Sequence, residues 1–293
     1  MAITIDIPNT LKEISFDEYR ERIGQQHALT DSDSIMATAP LLKALAADKF
    51  LLVRHINEHL SDPVSSDRNN NYSALSFIIG RGNGFTVRAN LWPRHSSYTA
   101  DNLSSKVSHN FDIPHNHNFE LLTVGFAGAG YETIIHEVDE TRIVGFPGEK
   151  VDLRFLEQTT LPEGKVMFYR RFKDVHIQLP PKELSISLNL LVRDDAGVSG
   201  SQYTFDFEKK TIIGELSGRV SDHNMMFEFA KHLGDENTGN HLIAIAEKHD
   251  NPLARLAAFD AAAQLIESNT VWRVALADKD AKIRQRATEQ LSV

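Results

Sequence analysis

Asp112-Ile-Pro-His115-Asn-His117-Asn-Phe-Glu120 runs straight into Leu121-Leu-Thr-Val-Gly125, and this stretch decides the fold. Residues two apart on an extended chain project from one face, so His115 and His117 stand side by side. Two imidazoles so placed reach one first-row metal ion at the usual distance of about 2.0–2.1 Å. Glu120, three residues past His117, falls on the opposite face by the same alternation. By alternation alone it is an acceptor that could orient an imidazole. Another ligand has to come from a different strand. Lys173-Asp-Val-His176-Ile-Gln178 offers His176, 59 residues beyond His117 and at the end of an apolar strand.

Around these segments the hydrophobic period is two. Ser73–Ile79, Phe85–Leu91, Leu121–Phe126, Glu132–Glu137, Val166–Phe172, Leu184–Val192 and Tyr203–Phe207 read as strands. Gly80-Arg-Gly-Asn-Gly84 reads as the hairpin turn between the first two, and no helix follows it to make a phosphate cradle. Many short strands without intervening helices predict a sandwich or barrel, not a parallel α/β sheet. Alternation then nominates pocket residues. Gln178 shares a face with His176. Tyr169 and Arg170 sit with opposite orientations on the strand before it, one of them to meet an anionic group or bound oxygen. His136 is a further candidate for the pocket wall. Ser185, Ser187 and Asn189 share one face, which is either pocket or solvent.

The flanks are helical. Over residues 15–62, Phe16, Tyr19 and Ile23 recur at helical spacing, Asp31-Ser-Asp-Ser offers caps, and a helix beginning just before Leu41 is expected to run through Ile56. Ser65–Asn71 reads as a polar linker. In the helical tail, Asn251-Pro-Leu-Ala-Arg255-Leu-Ala-Ala258 matches Asp280-Ala-Lys-Ile-Arg284-Gln-Arg-Ala287. The expected organisation is a helical segment over 1–71, a barrel over 72–218 and a helical tail over 219–293.

Composition limits the partners. The 293 residues carry 40 acids against 31 Lys and Arg, a net charge of -9, so a nucleic-acid backbone is a poor partner. The absence of cysteine rules out disulfides, thiolate metal sites and a thiol nucleophile. Met1 to Tyr19 has no signal-peptide core, and no apolar run approaches the about 20 residues of a membrane helix. A cytoplasmic protein without membrane contact is expected.

The stretch around His115 resembles the first motif of the cupin superfamily, a His-x-His pair followed by a Glu and then a Gly; Gly125, Gly128 and Gly130 stand where the glycine belongs. Pro162-Glu-Gly164 and His176 are similar to the second motif, and the likeness covers roughly half the chain. The resemblance implies a double-stranded β-helix, or jelly-roll, barrel with a metal on His115, His117 and His176, and Glu120 as the family's additional ligand. The three-His set is similar to that of cysteine-dioxygenase-like and diketone-cleaving cupins. It implies a divalent ion, Fe(II) first and Mn, Ni, Co or Zn as other fits, and a non-haem oxygenase or dioxygenase using O₂ on a small polar or anionic metabolite. Gln178, Tyr169 and Arg170 are the catalytic candidates. Two other classes stay open: a sensory cupin that binds metal or metabolite without catalysis, and an O₂-independent isomerase or lyase. The tail resembles HEAT-like helical repeats, which implies a surface for a homodimer or a protein partner.

Overall fold

The computed structural model describes residues 3–8, 10–26, 28–61, 75–94, 112–192, 201–216, 222–250, 252–266 and 268–292. The expected Ser65–Asn71 linker and both expected boundaries, 71/72 and 218/219, lie outside the described residues. In chain order the elements are β1 (Ile3–Ile5), α1 (Phe16–Gln26), α2 (Ser32–Met36), α3 (Ala39–Ala47), α4 (Leu51–Ser61), β2 (Ser76–Gly82) and β3 (Phe85–Trp92). Then come β4 (Glu120–Ala127), β5 (Glu132–Glu137), β6 (Arg154–Thr160), β7 (Val166–Tyr169), β8 (Asp174–Leu179), β9 (Ser185–Val192), β10 (Tyr203–Asp206) and β11 (Thr211–Glu215). Helices close the chain: α5 (Asp222–Leu233), α6 (Glu236–Lys248), α7 (Pro252–Leu265), α8 (Thr270–Ala275) and α9 (Ala281–Leu291). Contacts divide it into two units. One takes Met1–Thr141, Val151–Val198 and Thr204–Lys210; the other takes Arg142–Lys150, Ser199–Tyr203 and Thr211–Val293.

The first unit is mainly antiparallel sheet with flanking helices. One sheet has the order β1-β7-β4-β9-β3-β2 and the other β6-β5-β8. Every strand pairing among their described residues is antiparallel. Both faces of the larger sheet are covered. Val87, Ala89, Leu122, Val124, Phe168, Leu188 and Leu190 join Tyr19, Ile23, Leu42 and Leu45 of the N-terminal helices in one core. Their neighbours along the strands, Leu121, Met167, Tyr169 and Leu191, turn the other way and meet Ile135 and Leu156 of the smaller sheet. The two sheets therefore face each other. Burial on both faces is why β4 and β7 carry near-continuous apolar runs.

Local chemistry explains the element ends. Asp31 accepts the Ser34 amide at 2.8 Å while the Ser34 hydroxyl accepts the Asp31 amide at 3.2 Å, a capping box that opens α2. Pro40 lies in the first turn of α3, where its missing N–H costs no bond, so the helix starts at Ala39. The single helix expected through Ile56 is two. Asp48 leaves the helical conformation and its carboxylate accepts the Phe50 amide at 3.1 Å, starting α4. Between the sheets, the Pro162-Glu-Gly164 turn packs on Gly125. The Gly164 amide donates to the Gly125 carbonyl at 2.8 Å, and a Cβ on Gly125 would stand 2.0 Å from the Pro162 oxygen. Only glycine fits there.

In the second unit, Phe227, Leu242, Phe259, Trp272 and Ile283 form a core with Ala258 and Ala287, both fully buried. Arg255 of α7 and Arg284 of α9 make like contacts. Arg255 donates through Nη1 to the carbonyl of His249 at 2.9 Å, and Arg284 donates through Nη1 to that of Asp278 at 2.7 Å. Each arginine thus holds the carbonyl six residues before it.

Candidate metal centre

The three histidines converge because of strand pairing. His115 lies in an extended segment outside the named strands and bridges His176 of β8 in antiparallel fashion. Each donates its amide to the other's carbonyl at 2.9 Å, so the pair is directly opposed and both side chains leave the same face. His117, two residues on, shares that face. β5 flanks β8 on the other side and sets Thr133 opposite Gln178 and Ile135 opposite His176.

All three imidazoles are buried, and their ligating nitrogens lie within 4.8 Å of one another. The ring centroids stand 4.7–4.9 Å apart in a near-equilateral triangle. His117 Nε2 and His176 Nε2 are 3.0 Å apart. Two nitrogens at about 2.1 Å from one ion and at right angles are separated by about 3.0 Å, so the pair fits the edge of a coordination shell. His115 Nδ1 contacts the Ile113 carbonyl at 2.8 Å, which makes Nδ1 the protonated nitrogen and presents Nε2 as the lone pair. Burial drives the His115 pKa down to about 4, helped by the charge of Arg88 and opposed by the Ile113 carbonyl. His176 is pushed well below the usual histidine range by burial and then by the two neighbouring imidazoles. Neutral imidazoles are the form that ligates metal. The residues present fit a divalent ion.

Of the remaining expected residues, two join the histidines. Gln178 Nε2 is 3.2 Å from His176 Nε2, and its buried Oε1 has no hydrogen-bond partner. The Tyr169 ring lies 4.6 Å from that of His176. Its hydroxyl neighbours those of Tyr131 and Thr133 without completing a hydrogen bond of ordinary geometry. Burial, reinforced by Tyr131, raises the Tyr169 pKa well above the usual phenol range.

Two expected residues do not join them. Arg170 is an internal ion-pair partner: its guanidinium binds both Asp174 oxygens and Glu137, and Arg154 also pairs with Glu137. That commitment takes its fork out of substrate binding and anchors the start of β8. Glu120 is absent from the ligand cluster. Its carboxylate accepts the Ser32 hydroxyl at 3.1 Å and the Arg171 amide at 3.0 Å. With Arg171 and Gly82–Phe85 it lines a separate cavity of about 910 Å³ that touches none of the three histidines. Burial raises its pKa against those two hydrogen bonds. Glu120→Gln should therefore leave metal content per chain at the wild-type value by elemental analysis, while losing about 1–2 kcal/mol of stability because one donor faces an amide NH₂. Loss of the ion in that variant would return Glu120 to the ligand set.

His136 faces away as well. It pairs with Val175 on the opposite face of the sheet from Ile135 and His176, and its ring meets Phe207 at 4.2 Å and Phe155 at 5.6 Å. His95 and His109 lie outside the described residues. The Ser185, Ser187 and Asn189 row is buried between the sheets, and Asn189 accepts from Thr123 at 2.6 Å. Arg88, Tyr131 and Thr133 belong to the same interior, and their sequence signal is alternation alone. In Phe85-Thr-Val-Arg-Ala-Asn-Leu-Trp92 the apolar members Phe85, Val87 and Ala89 face the helices, which turns Arg88 inward.

No family model matches the chain, and no curated protein matches it. Among solved structures, hydroquinone 1,2-dioxygenase PnpCD in complex with Cd²⁺ and 4-hydroxybenzonitrile is 9% identical at a TM-score of 0.23, over 40% of this chain and 63% of that one. Procruciferin, an 11S globulin from Brassica napus, is 11% identical at 0.28, over 56% and 34%. The vicilin from Solanum melongena is 7% identical at 0.27, over 47% and 33%. The chain thus spans under two thirds of each. Likenesses so slight decide nothing about this chain, whose site stands on its own geometry.

Proposed function

We propose that the chain is a cupin whose β-strands form a double-stranded β-helix barrel, and that it acts as a metal-dependent oxygenase on a small polar or anionic metabolite. The observation that carries this is the buried trio His115, His117 and His176, with ligating nitrogens within 4.8 Å of one another and no acid among them. Fe(II) is the ion we favour. Held by neutral imidazoles it would keep its 2+ charge and open positions, supplying Lewis acidity and one-electron chemistry with O₂. The chain supplies the rest. The Ile113 carbonyl fixes the His115 tautomer. The facing sheets exclude water, and the Tyr169 and Thr133 hydroxyls and Gln178 Oε1 are placed to orient a substrate. Among the described residues no helix is long and apolar enough to cross a membrane. The cytoplasmic location, the 72–218 barrel and the 219–293 tail as HEAT-like repeats open to a partner belong to this proposal.

The test joins metal analysis to O₂ uptake. The purified chain should hold close to one ion of iron after anaerobic reconstitution and consume O₂ with a metabolite drawn from a panel of small thiols, enols and amino acids. Full turnover without O₂ would move the reading to an isomerase or lyase. Failure to bind Fe, Mn, Ni or Zn would end it.

A further inference from the structure

The cavity of about 910 Å³ beside Glu120 lies where α1 and the loop into α2 meet one end of β3, β4 and β9, and its lining residues all belong to the first unit. Its volume is that of a small-molecule site. Ile23, Ile35, Phe85 and Val192, all buried, give it an apolar inner wall. Glu120 brings a carboxylate to that wall, and its hydrogen-bond partners, the Ser32 hydroxyl and the Arg171 amide, are both uncharged. Burial outweighs those bonds and the charge of Arg171, so the Glu120 pKa stands above its ordinary value. Asp31 adds a second carboxylate to the lining, held by the Ser34 amide at 2.8 Å and the Thr30 hydroxyl at 3.3 Å, which are uncharged as well. The two arginines of the lining have other partners: Arg20 pairs with Asp17 at 3.0 Å, and the Arg171 guanidinium stands 5.4 Å over the Phe172 ring.

Gly24 of α1 points the same way from an independent direction. It lines the cavity from within a helix, where glycine is less stable than alanine. Packing does not ask for glycine there, since a Cβ would meet nothing within 4 Å among the described residues. Nor does the backbone, which is helical at that position. Glycine does let a bound molecule approach the main chain closely. An apolar wall beside a half-buried carboxylate suits one kind of guest, an organic cation. Its ammonium donates to lone pairs that neutral donors leave open on the Glu120 oxygens, and its hydrocarbon body covers the apolar side chains.

We propose that this cavity is a second ligand site, separate from the metal centre, which takes a small organic amine with its ammonium on Glu120 and its apolar body against Phe85 and Ile35. This goes beyond the metal-dependent reading and does not rest on it. The probe is phenethylamine, a cation in neutral buffer, with hydrocinnamate and phenethyl alcohol as its anionic and neutral counterparts. Ligand-observed NMR on the full chain after chelator treatment reads binding, so the amine has no metal to coordinate. Phenethylamine should bind at least about tenfold tighter than either counterpart, and Glu120→Gln should weaken it by about tenfold or more, the usual worth of a hydrogen bond to a charged group. Gly24→Leu should block the amine while circular dichroism shows the fold retained, because the new side chain enters open space. His117→Ala should lose metal and keep phenethylamine, so a failed metal reading and a failed amine site give different results. If Glu120→Gln does not fold, Gly24→Leu decides in its place. No phenethylamine binding to the wild type, hydrocinnamate binding as tight as the amine, equal affinity in folded Glu120→Gln, unchanged affinity in Gly24→Leu, or loss of the amine in His117→Ala would each overturn the assignment.

Discussion

A His176→Ala chain is expected to keep its fold and lose nearly all of its metal. The backbone bonds between His115 and His176 do not involve the side chain, so the pairing that builds the site survives the substitution. Removing a buried imidazole leaves a cavity beside Tyr169 and costs about 2–3 kcal/mol, within reach of a domain of this size. The ion would then keep two imidazoles only, His115 and His117, with no acid in the cluster to replace the third. His136→Ala is the control. Its ring packs on Phe155 and Phe207 on the far face of the sheet, and its metal content should match wild type. Elemental analysis of metal per chain, with circular dichroism for the fold, reads both variants. A result with the roles reversed, His136→Ala empty and His176→Ala full, would show that the site assignment is wrong.

The contrast between those two histidines shows what strand alternation can and cannot reveal. It places His115 and His117 together because they share one extended segment, and nothing beyond local geometry is needed. It is silent on the bridge that sets His115 directly against His176, since pairing across 61 residues (176 less 115) is a tertiary fact. His136 and His176 both sit on strands, and only the register between β5 and β8 reveals which of them faces inward. Glu120 illustrates the same limit. Alternation turns it from the pair, but its bonds to Ser32 and Arg171 come from distant segments. Arg88 escaped notice because a strand alternating polar with apolar normally has a wet face, whereas here a second sheet covers it. β6 escaped because Arg154-Phe-Leu-Glu-Gln-Thr-Thr160 is a polar edge strand, and β8 because its run merges with the apolar strand before it. The helical flanks were legible in period, though the break at Asp48 depends on a side-chain cap that period does not show.

The second large effect concerns the helical unit, where Asp278→Ala should destabilise that unit by about 3–5 kcal/mol, the cost of stranding a buried charge. Arg255 is the charge left behind. Its side chain is 2% exposed, and Asp278 meets it with two oxygens, from Nε at 2.9 Å and Nη2 at 2.8 Å. Nη1 donates to the carbonyls of His249 and Asp250, so all three guanidinium nitrogens are engaged, and the first turn of α7 is tied both to the turn after α6 and to the loop between α8 and α9. Asp278→Ala removes the acceptor for two donors at once and leaves the guanidinium, 2% exposed, with the His249 and Asp250 carbonyls and the more distant charges of Asp280 and Asp250. Arg284→Ala is the matched comparison. It deletes the equivalent contact to the Asp278 carbonyl, but that contact is exposed and nothing charged is stranded, so its cost should stay under about 1 kcal/mol. Removing both partners of the buried pair together, as Arg255→Met with Asp278→Ala, should recover much of the loss, because the penalty lies in the unpaired charge more than in the missing attraction. Urea unfolding of the three variants followed by circular dichroism at the helical signal measures each step. Equal losses for Asp278→Ala and Arg284→Ala would mean that the buried fork contributes no more than the exposed one, and the double variant falling below Asp278→Ala would show that attraction, not desolvation, dominates the pair.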